Sequence, residues 1–394
     1  MSESQNILIL GARAPATLDL IRQLAFQGHR IYIAESLFPC LSETSTFVEM
    51  VIPIPAPRME PDLFAHALGE IVKTYEISWI IPTCEEVFYV SRFIDDLRKH
   101  CSVFTSDLQT LTVLHDKWAF NQFVRSFYPH TPETMLLSSS DQLADVHYEQ
   151  FVLKPQYSRF AENVFFLDGK TRFELKDTIP AISPRRQWLA QKRIYGSEVC
   201  SMSLCLNGEL IAHCCYQHPF TAGKGAGVSF ESFQDEQILN FSREVAKRLN
   251  YTGFLSFDFI QNKDGFYFPL ECNPRITSGI HLFEPQDLDV SSGWFQKKQF
   301  EIATPMKCLQ PPEGRKKFIL LAHLVYGLGQ IKSISTMKLW FVYLFSAKDV
   351  IFHKKDFHPV FWQFYCYFRL YLKSTRLKIS PLALTTHDIE WNGQ

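Results

Sequence analysis

The stretch PLECNPRITSG, residues 269–279, closes an apolar run with a carboxylate, an amide, a proline and an arginine set almost side by side. Asp258 stands upstream of Glu271 inside another apolar run, Phe254 to Gln261, and the turn Lys263-Asp264-Gly265 lies between the two. Apolar runs flanking an Asp-Gly turn predict an antiparallel hairpin. Such a hairpin brings Asp258 and Glu271 to neighbouring positions on the sheet. Carboxylates so placed repel one another, and within apolar strands they are costly unless a cation sits between them. Asn273, two residues on, points to the same face and adds a neutral oxygen. Asp258, Glu271 and Asn273 then make the hard-oxygen set that magnesium takes when it bridges phosphates. Arg275 adds a planar, permanently charged fork for a phosphate or carboxylate.

Outward from this hairpin the chain divides into contrasting halves. Residues 6–10 (NILIL), a helical repeat over Thr17 to Gln27, the strand Ile31 to Ala34, an amphipathic segment Leu63 to Tyr75 and the run Ile77 to Pro82 predict an open parallel α/β domain of Rossmann-like topology. Its first turn, GARAPA, has one glycine where a dinucleotide fingerprint needs three, so a structural βα turn is preferred to NAD or FAD binding. Glu85 and Glu86, after the run Ile77 to Pro82, read equally as substrate neighbours or as first-turn helix charge. From about residue 150 short alternating strands take over, with an Asn207-Gly208 hairpin turn and a helix over Gln237 to Leu249. This half reads as α+β.

The hairpin resembles the metal-binding signature of ATP-grasp enzymes, in the manner of carbamoyl phosphate synthase large chains and D-alanine ligases. The resemblance spans roughly residues 1 to 290 and rests on several motifs in order. His115-Asp116-Lys117 opens a helix as the family's first ATP lysine does, and Val152-Leu153-Lys154-Pro155 matches the strand lysine that reaches the phosphates. Gln191-Lys192-Arg193-Ile194-Tyr195-Gly196-Ser197-Glu198 matches the hinge, whose backbone at Gln191, Lys192, Arg193 and Ile194 would meet adenine and whose Glu198 would accept from the ribose hydroxyls. The resemblance implies a Rossmann-like domain over residues 1–114, an ATP-grasp nucleotide clamp over 115–295 with its hinge near 190–195, and a C-terminal extension over 296–394. It implies MgATP, with Mn²⁺ as a substitute metal, and a carboxylate-amine or carboxylate-thiol ligase working through an acyl phosphate. Small-molecule carboxylate and amine are the expected partners. The alternative is a nucleotide-binding regulatory or scaffold protein.

One departure favours that alternative. The loop after Lys154-Pro155, residues 156–163, has no glycine, so closure over phosphates falls to side chains, with Arg159 the candidate. A second loop, Thr221 to Gly227, has three glycines. Its Lys224 either reaches the transferred phosphoryl group or decorates a mobile hairpin tip.

The chain balances 40 basic against 41 acidic residues, so total charge asks for no nucleic acid partner. Ten cysteines without a CxxC pair fit reduced thiols better than disulfides or zinc. The amino-terminal stretch shows neither a basic leader nor a small-residue cleavage site, and a cytoplasmic chain is expected. The extension is basic and aromatic, as in FHPVFWQFYCYFRLYLK, residues 357–373. Read as a helix it is apolar nearly all round, for which burial against the main body or in a homodimer is preferred to contact with a membrane surface.

Overall fold

Residues 6–10 are apolar without alternation because this strand is covered on both faces: Ile7, Leu8, Ile9 and Leu10 are all buried. The computed structural model describes residues 4–146, 150–159, 163–167, 182–223, 225–287 and 308–393. In it this strand, β1 (Asn6–Leu10), is the middle of a five-stranded parallel sheet. The other members are β2 (Arg30–Glu35), β3 (Val48–Pro53), β4 (Trp79–Ile81) and β5 (Ser102–Val103), in the order β3-β2-β1-β4-β5. Strand β3 escapes the sequence pattern because it is an edge strand with no fully buried residue. Helix α1 (Pro15–Phe26) starts with proline at its first position, where the missing N–H costs nothing.

The strand order reverses between β1 and β4, which makes the crevice beyond their carboxyl ends a switch point. Gly11 sits there at φ +74°, and a β-carbon on it would lie 2.6 Å from the Thr83 hydroxyl. The single glycine of GARAPA thus serves a tight turn packed against the β4 exit.

Two further sheets follow, antiparallel throughout except where Lys348–Asp349 runs parallel to Lys316–Phe318 at the edge of the larger. The smaller has the order β6-β9-β7-β8, from Thr134–Leu137 (β6), Phe151–Pro155 (β7), Phe165–Phe166 (β8) and Trp188–Lys192 (β9). The larger contains β10 (Ser197–Leu206), β11 (Glu209–Gln217), β14 (Ser229–Phe233), β15 (Gly253–Gln261) and β16 (Tyr267–Asn273). A short hairpin, β12 (Thr221–Ala222) with β13 (Ala226–Gly227), projects between β11 and β14. After β9 the chain crosses from the small sheet to the large one through residues 193–196. The crossing hugs the end of β15, since a β-carbon on Gly196 would lie 1.8 Å from the Gln261 carbonyl oxygen. We expect Gly196→Ala to cost about 3 kcal/mol through this backbone clash, measured as a lowered urea midpoint with unchanged slope.

The C-terminal extension is built into both preceding parts. Strands β17 (Lys316–Phe318) and β18 (Lys348–Asp349) complete the large sheet, whose order is β16-β15-β10-β11-β14-β17-β18. Between them, the helix Ile334–Ser346 packs Trp340 and Tyr343 onto Phe220, Val228 and Phe318. Beyond β18, Asp356 is fully buried and takes Arg22 of α1 at 2.8 Å, while Arg22 also donates to the Val350 and Ile351 carbonyls. The tail then returns to the first sheet, where Asp388 accepts from Arg13 at 2.6 Å and Glu390 from Arg58 at 2.6 Å.

The aromatic helix departs from expectation. It runs from His358 to Leu377 and buries Pro359, Gln363 and Ser374, while Phe361, Phe364 and Phe368 are each more than half exposed. Burial against the main body therefore covers one narrow stripe of it.

Candidate active site

The hairpin of β15 and β16 sets Asp258 directly opposite Glu271. The register then slips, so that Phe259 faces Pro269 and Leu270 is left as an extra residue. Cys200 pairs with both Asp258 and Tyr216, Glu198 pairs with Ile260, and Ser256 pairs with Asn273. Opposite residues share a face and so do alternate ones. One face of the large sheet therefore carries Glu198, Asp258, Glu271 and Asn273, with Tyr216 and Ser256 beside them.

Two lysines reach this face from elsewhere. Lys154 on β7 of the small sheet donates to the carbonyl of the bulged Leu270 at 3.1 Å. Lys117 opens the helix Lys117–Arg125, and its Nζ lies 3.2 Å from Glu271 Oε2 and 3.0 Å from the Ser158 carbonyl oxygen. That helix is capped by Asp116, whose Oδ1 accepts from the Trp118 and Ala119 amides. Its Oδ2 takes Gln156 at 2.5 Å and Tyr157 at 3.1 Å, so one carboxylate both places Lys117 and pins the loop after Lys154.

The electrostatics are those of a poised cation site. Burial, and then the Glu271 charge, push the Asp258 carboxyl up. Burial also opposes charge on Glu271, but Lys117 and Lys154 outweigh it and hold Glu271 well below the ordinary range. Burial lowers Lys154 to about 8, with Glu271 pulling the other way. Both carboxylates can ionise together only with additional positive charge between them. Asn273 is a correction in detail. It offers Asp258 its amide nitrogen, at 3.0 Å, and its oxygen accepts from Arg275 at 3.2 Å. A half-turn of the amide exchanges the two, which brings the third oxygen to the pair.

The hinge residues lie where the chain crosses between sheets. The amides of Lys192 and Arg193 are taken by the carbonyls of Glu133 and Gln150, at 2.8 and 2.7 Å, and the Gln191 side chain bonds Thr134 at 3.2 Å. Arg193 stacks over Phe166 and Tyr195. Ile194 and the exposed Glu198 follow on the way into the large sheet.

The structure does not bring Arg159 to the carboxylate pair. Its guanidinium is clasped by Glu85, bonded to Glu390, and donates to the Trp391 carbonyl at 3.0 Å. With Asp116, Lys117 and the tail all holding residues 156–159, the described start of this loop is an anchored strap. Closure by Arg159 would break a buried ion pair. Burial would raise the Glu85 carboxyl, but Arg159 holds it down at about 2. Glu86 differs. It accepts from the Thr83 and Cys84 amides through one oxygen, and burial raises it to about 7. Lys224 lies outside the described residues. The glycine loop around it is tied to the extension, where Gln330 bonds both the amide and the carbonyl of Thr221. Sequence reasoning missed Glu390 and Trp391, since nothing local connects a C-terminal Glu-Trp to a loop more than two hundred residues away. It also missed Tyr216 and Ser256, which extend the polar face through Thr277 by bonds of 3.2 and 3.0 Å.

Residues 114–279 match the sequence profile of the ATP-grasp domain. This segment is an ATP-grasp domain. The matched stretch begins just before Lys117 and ends just after Arg275, so it takes in Lys154, the crossing at 193–196 and the Asp258–Glu271 pair. No curated protein matches the sequence. Solved structures with the fold include N5-carboxyaminoimidazole synthase from Aspergillus clavatus in complex with ADP and 5-aminoimidazole ribonucleotide, at 10% identity and a TM-score of 0.59, covering 79% of this chain and 81% of that one. The biotin carboxylase domain of Hydrogenobacter thermophilus 2-oxoglutarate carboxylase, with MgADP and bicarbonate, is 12% identical at 0.58, over 80% and 74%. L-amino acid ligase from Bacillus licheniformis is 14% identical at 0.54, over 71% and 68%. At such identities the likeness is one of fold, and it extends beyond the ATP-grasp domain into the rest of the chain.

Proposed function

We propose that the protein is an ATP-dependent ligase that joins a small carboxylic acid to an amine, or less readily to a thiol, through an acyl phosphate. The observation that carries this reading is the half-buried Asp258–Glu271 pair on one sheet face, with Lys117 bonded to Glu271 and Lys154 to the adjoining Leu270 carbonyl. Asp258, Glu271 and, after its amide turns, Asn273 suit Mg²⁺ or Mn²⁺, which would supply charge neutralisation for the phosphates of ATP. Lys154 and Lys117 steady the phosphate oxygens, Glu198 accepts from ribose, and the chain crossing after Gln191, at Lys192 to Ile194, meets adenine with groups other than the Lys192 and Arg193 amides, which Glu133 and Gln150 already hold. The bound structures of the Aspergillus and Hydrogenobacter proteins, which hold ADP, support this assignment. Arg275 anchors the acid. The acid's oxygen attacks the γ-phosphorus and the bond to ADP breaks, after which the amine attacks the acyl carbon and phosphate leaves. Phosphoryl transfer of this kind needs positioning and charge more than a side-chain nucleophile.

The test is ADP release with MgATP over a panel of acids and amines, with hydroxylamine added to trap the acyl phosphate as a hydroxamate. Acid-dependent ADP release with hydroxamate formation supports the ligase. Tight ATP binding without turnover across the panel overturns it in favour of a regulatory module.

The lowered Lys154 pKa sets a pH dependence. Free protein loses the Lys154 charge above about pH 8, whereas bound phosphates favour the charged form, so nucleotide binding above that pH must take up a proton. Affinity for ATP is therefore expected to fall as pH rises from 8 to 9, by up to about tenfold per unit. Lys154→Arg keeps its charge and should flatten that slope, as read by titration calorimetry.

A further inference from the structure

Two helices of the C-terminal extension are amphipathic in the reverse sense of a helix on a soluble protein. The helix His358–Leu377 turns Pro359, Gln363 and Ser374 inward, and turns Phe361, Phe364, Phe368 and Tyr371 outward, with Phe361 69% exposed. Their spacing of three, four and three residues makes one continuous stripe. The helix Ile334–Ser346 repeats the arrangement: Trp340 and Tyr343 are inside, and Ile334, Phe341 and Phe345 outside, with Phe345 80% exposed and stacked on Phe341 at 6.1 Å. Isolated exposed apolar residues are ordinary, but contiguous stripes of this size mark a docking surface.

Charge identifies the occupant. Residues 320–346 contain Lys332 and Lys338, residues 357–378 contain Arg369, Lys373, Arg376 and Lys378, and neither stretch has an aspartate or glutamate. The two acids between them are engaged: Asp356 is buried on Arg22, and Asp349 accepts from the Leu320 and Phe352 amides. A second copy of this face would set like charges against each other. Aromatic side chains with interspersed lysine and arginine suit the headgroup layer of a bilayer. No described helix is long and apolar enough to cross a membrane, so both would lie in the plane of the surface. We infer that the aromatic, basic face of these two helices docks on an anionic lipid surface.

Flotation of the full chain with vesicles tests this. The chain should float with vesicles of mixed phosphatidylglycerol and phosphatidylcholine, and much less with phosphatidylcholine alone. Added salt should weaken the binding. R369Q/K373Q/R376Q should lower it about 100-fold, since each basic residue near an anionic surface contributes about fivefold. F361S/F364S/F368S should abolish it while leaving the thermal midpoint unchanged, because those side chains touch solvent. Failure to float with either vesicle overturns the inference. So does a stable dimer on gel filtration that the serine variant converts to monomer without any vesicle binding, which would make the face an interface between copies.

Discussion

Asp258→Asn and Glu271→Gln are each expected to reduce acid-dependent ADP release by about 10³-fold, and to part company in their effect on folding. The rate loss follows from removing one of two carboxylates that suit the metal, a contribution of several kcal/mol to the transition state. The folding contrast follows from the neighbours. Asp258 is already pushed towards its neutral form by burial and by Glu271. Replacing it with a neutral amide relieves repulsion, so the unfolding midpoint of Asp258→Asn should stay level or rise. Glu271 is the partner of Lys117 and the charge that holds Lys154 up, so Glu271→Gln leaves two buried lysines facing each other and should lower the midpoint. Thermal unfolding beside a coupled ADP assay checks both. A midpoint that falls equally in the two variants would show that the pair is structural rather than held in tension for a cation.

Arg159→Ala is expected to destabilise the protein by about 3–5 kcal/mol at pH 7, as for any buried ion pair stripped of one partner. Glu85 is buried, and its folded carboxyl lies at about 2, below the ordinary value of 4.5. Its contribution is therefore present above pH 4.5 and is lost as pH falls through the folded value. Without Arg159 the sign reverses, since burial alone raises Glu85 and stability then falls as pH rises past the ordinary carboxylate range. The deficit of the variant should be largest at neutral pH and shrink towards pH 4. Urea unfolding at the two pH values reads this, and adding Glu85→Gln to Arg159→Ala should recover much of the loss at pH 7. The tail contributes through Glu390, so the first sheet, the loop after Lys154 and the C-terminus form one cooperative unit at this point.

The legible parts of this chain were those governed by local rules. The apolar run of β1, the turns at Asn207-Gly208 and Asp264-Gly265, and the costly pair of carboxylates in apolar strands all declare themselves within a few residues. Asp258 and Glu271 could be brought near each other on paper because the turn at Asp264-Gly265 folds their strands together, whereas the bulge at Leu270 that sets them directly opposite has no mark in the sequence. Strand β3 was not legible, because an edge strand lacks the buried pattern that marks an interior one. Arg159 looked free for phosphate because its partners, Glu85 and Glu390, come from distant parts of the chain.

By itself the sequence determined the parallel first sheet, the antiparallel second half and the carboxylate hairpin, since period, turn chemistry and the cost of buried charge act over short spans. Only the tertiary structure decided that Arg159 is a strut, that Asn273 turns its nitrogen to Asp258, and that the aromatic helix shows phenylalanine to solvent and glutamine to the core. Those outcomes depend on which surfaces meet, and a helix apolar nearly all round does not announce which of its sides will be covered.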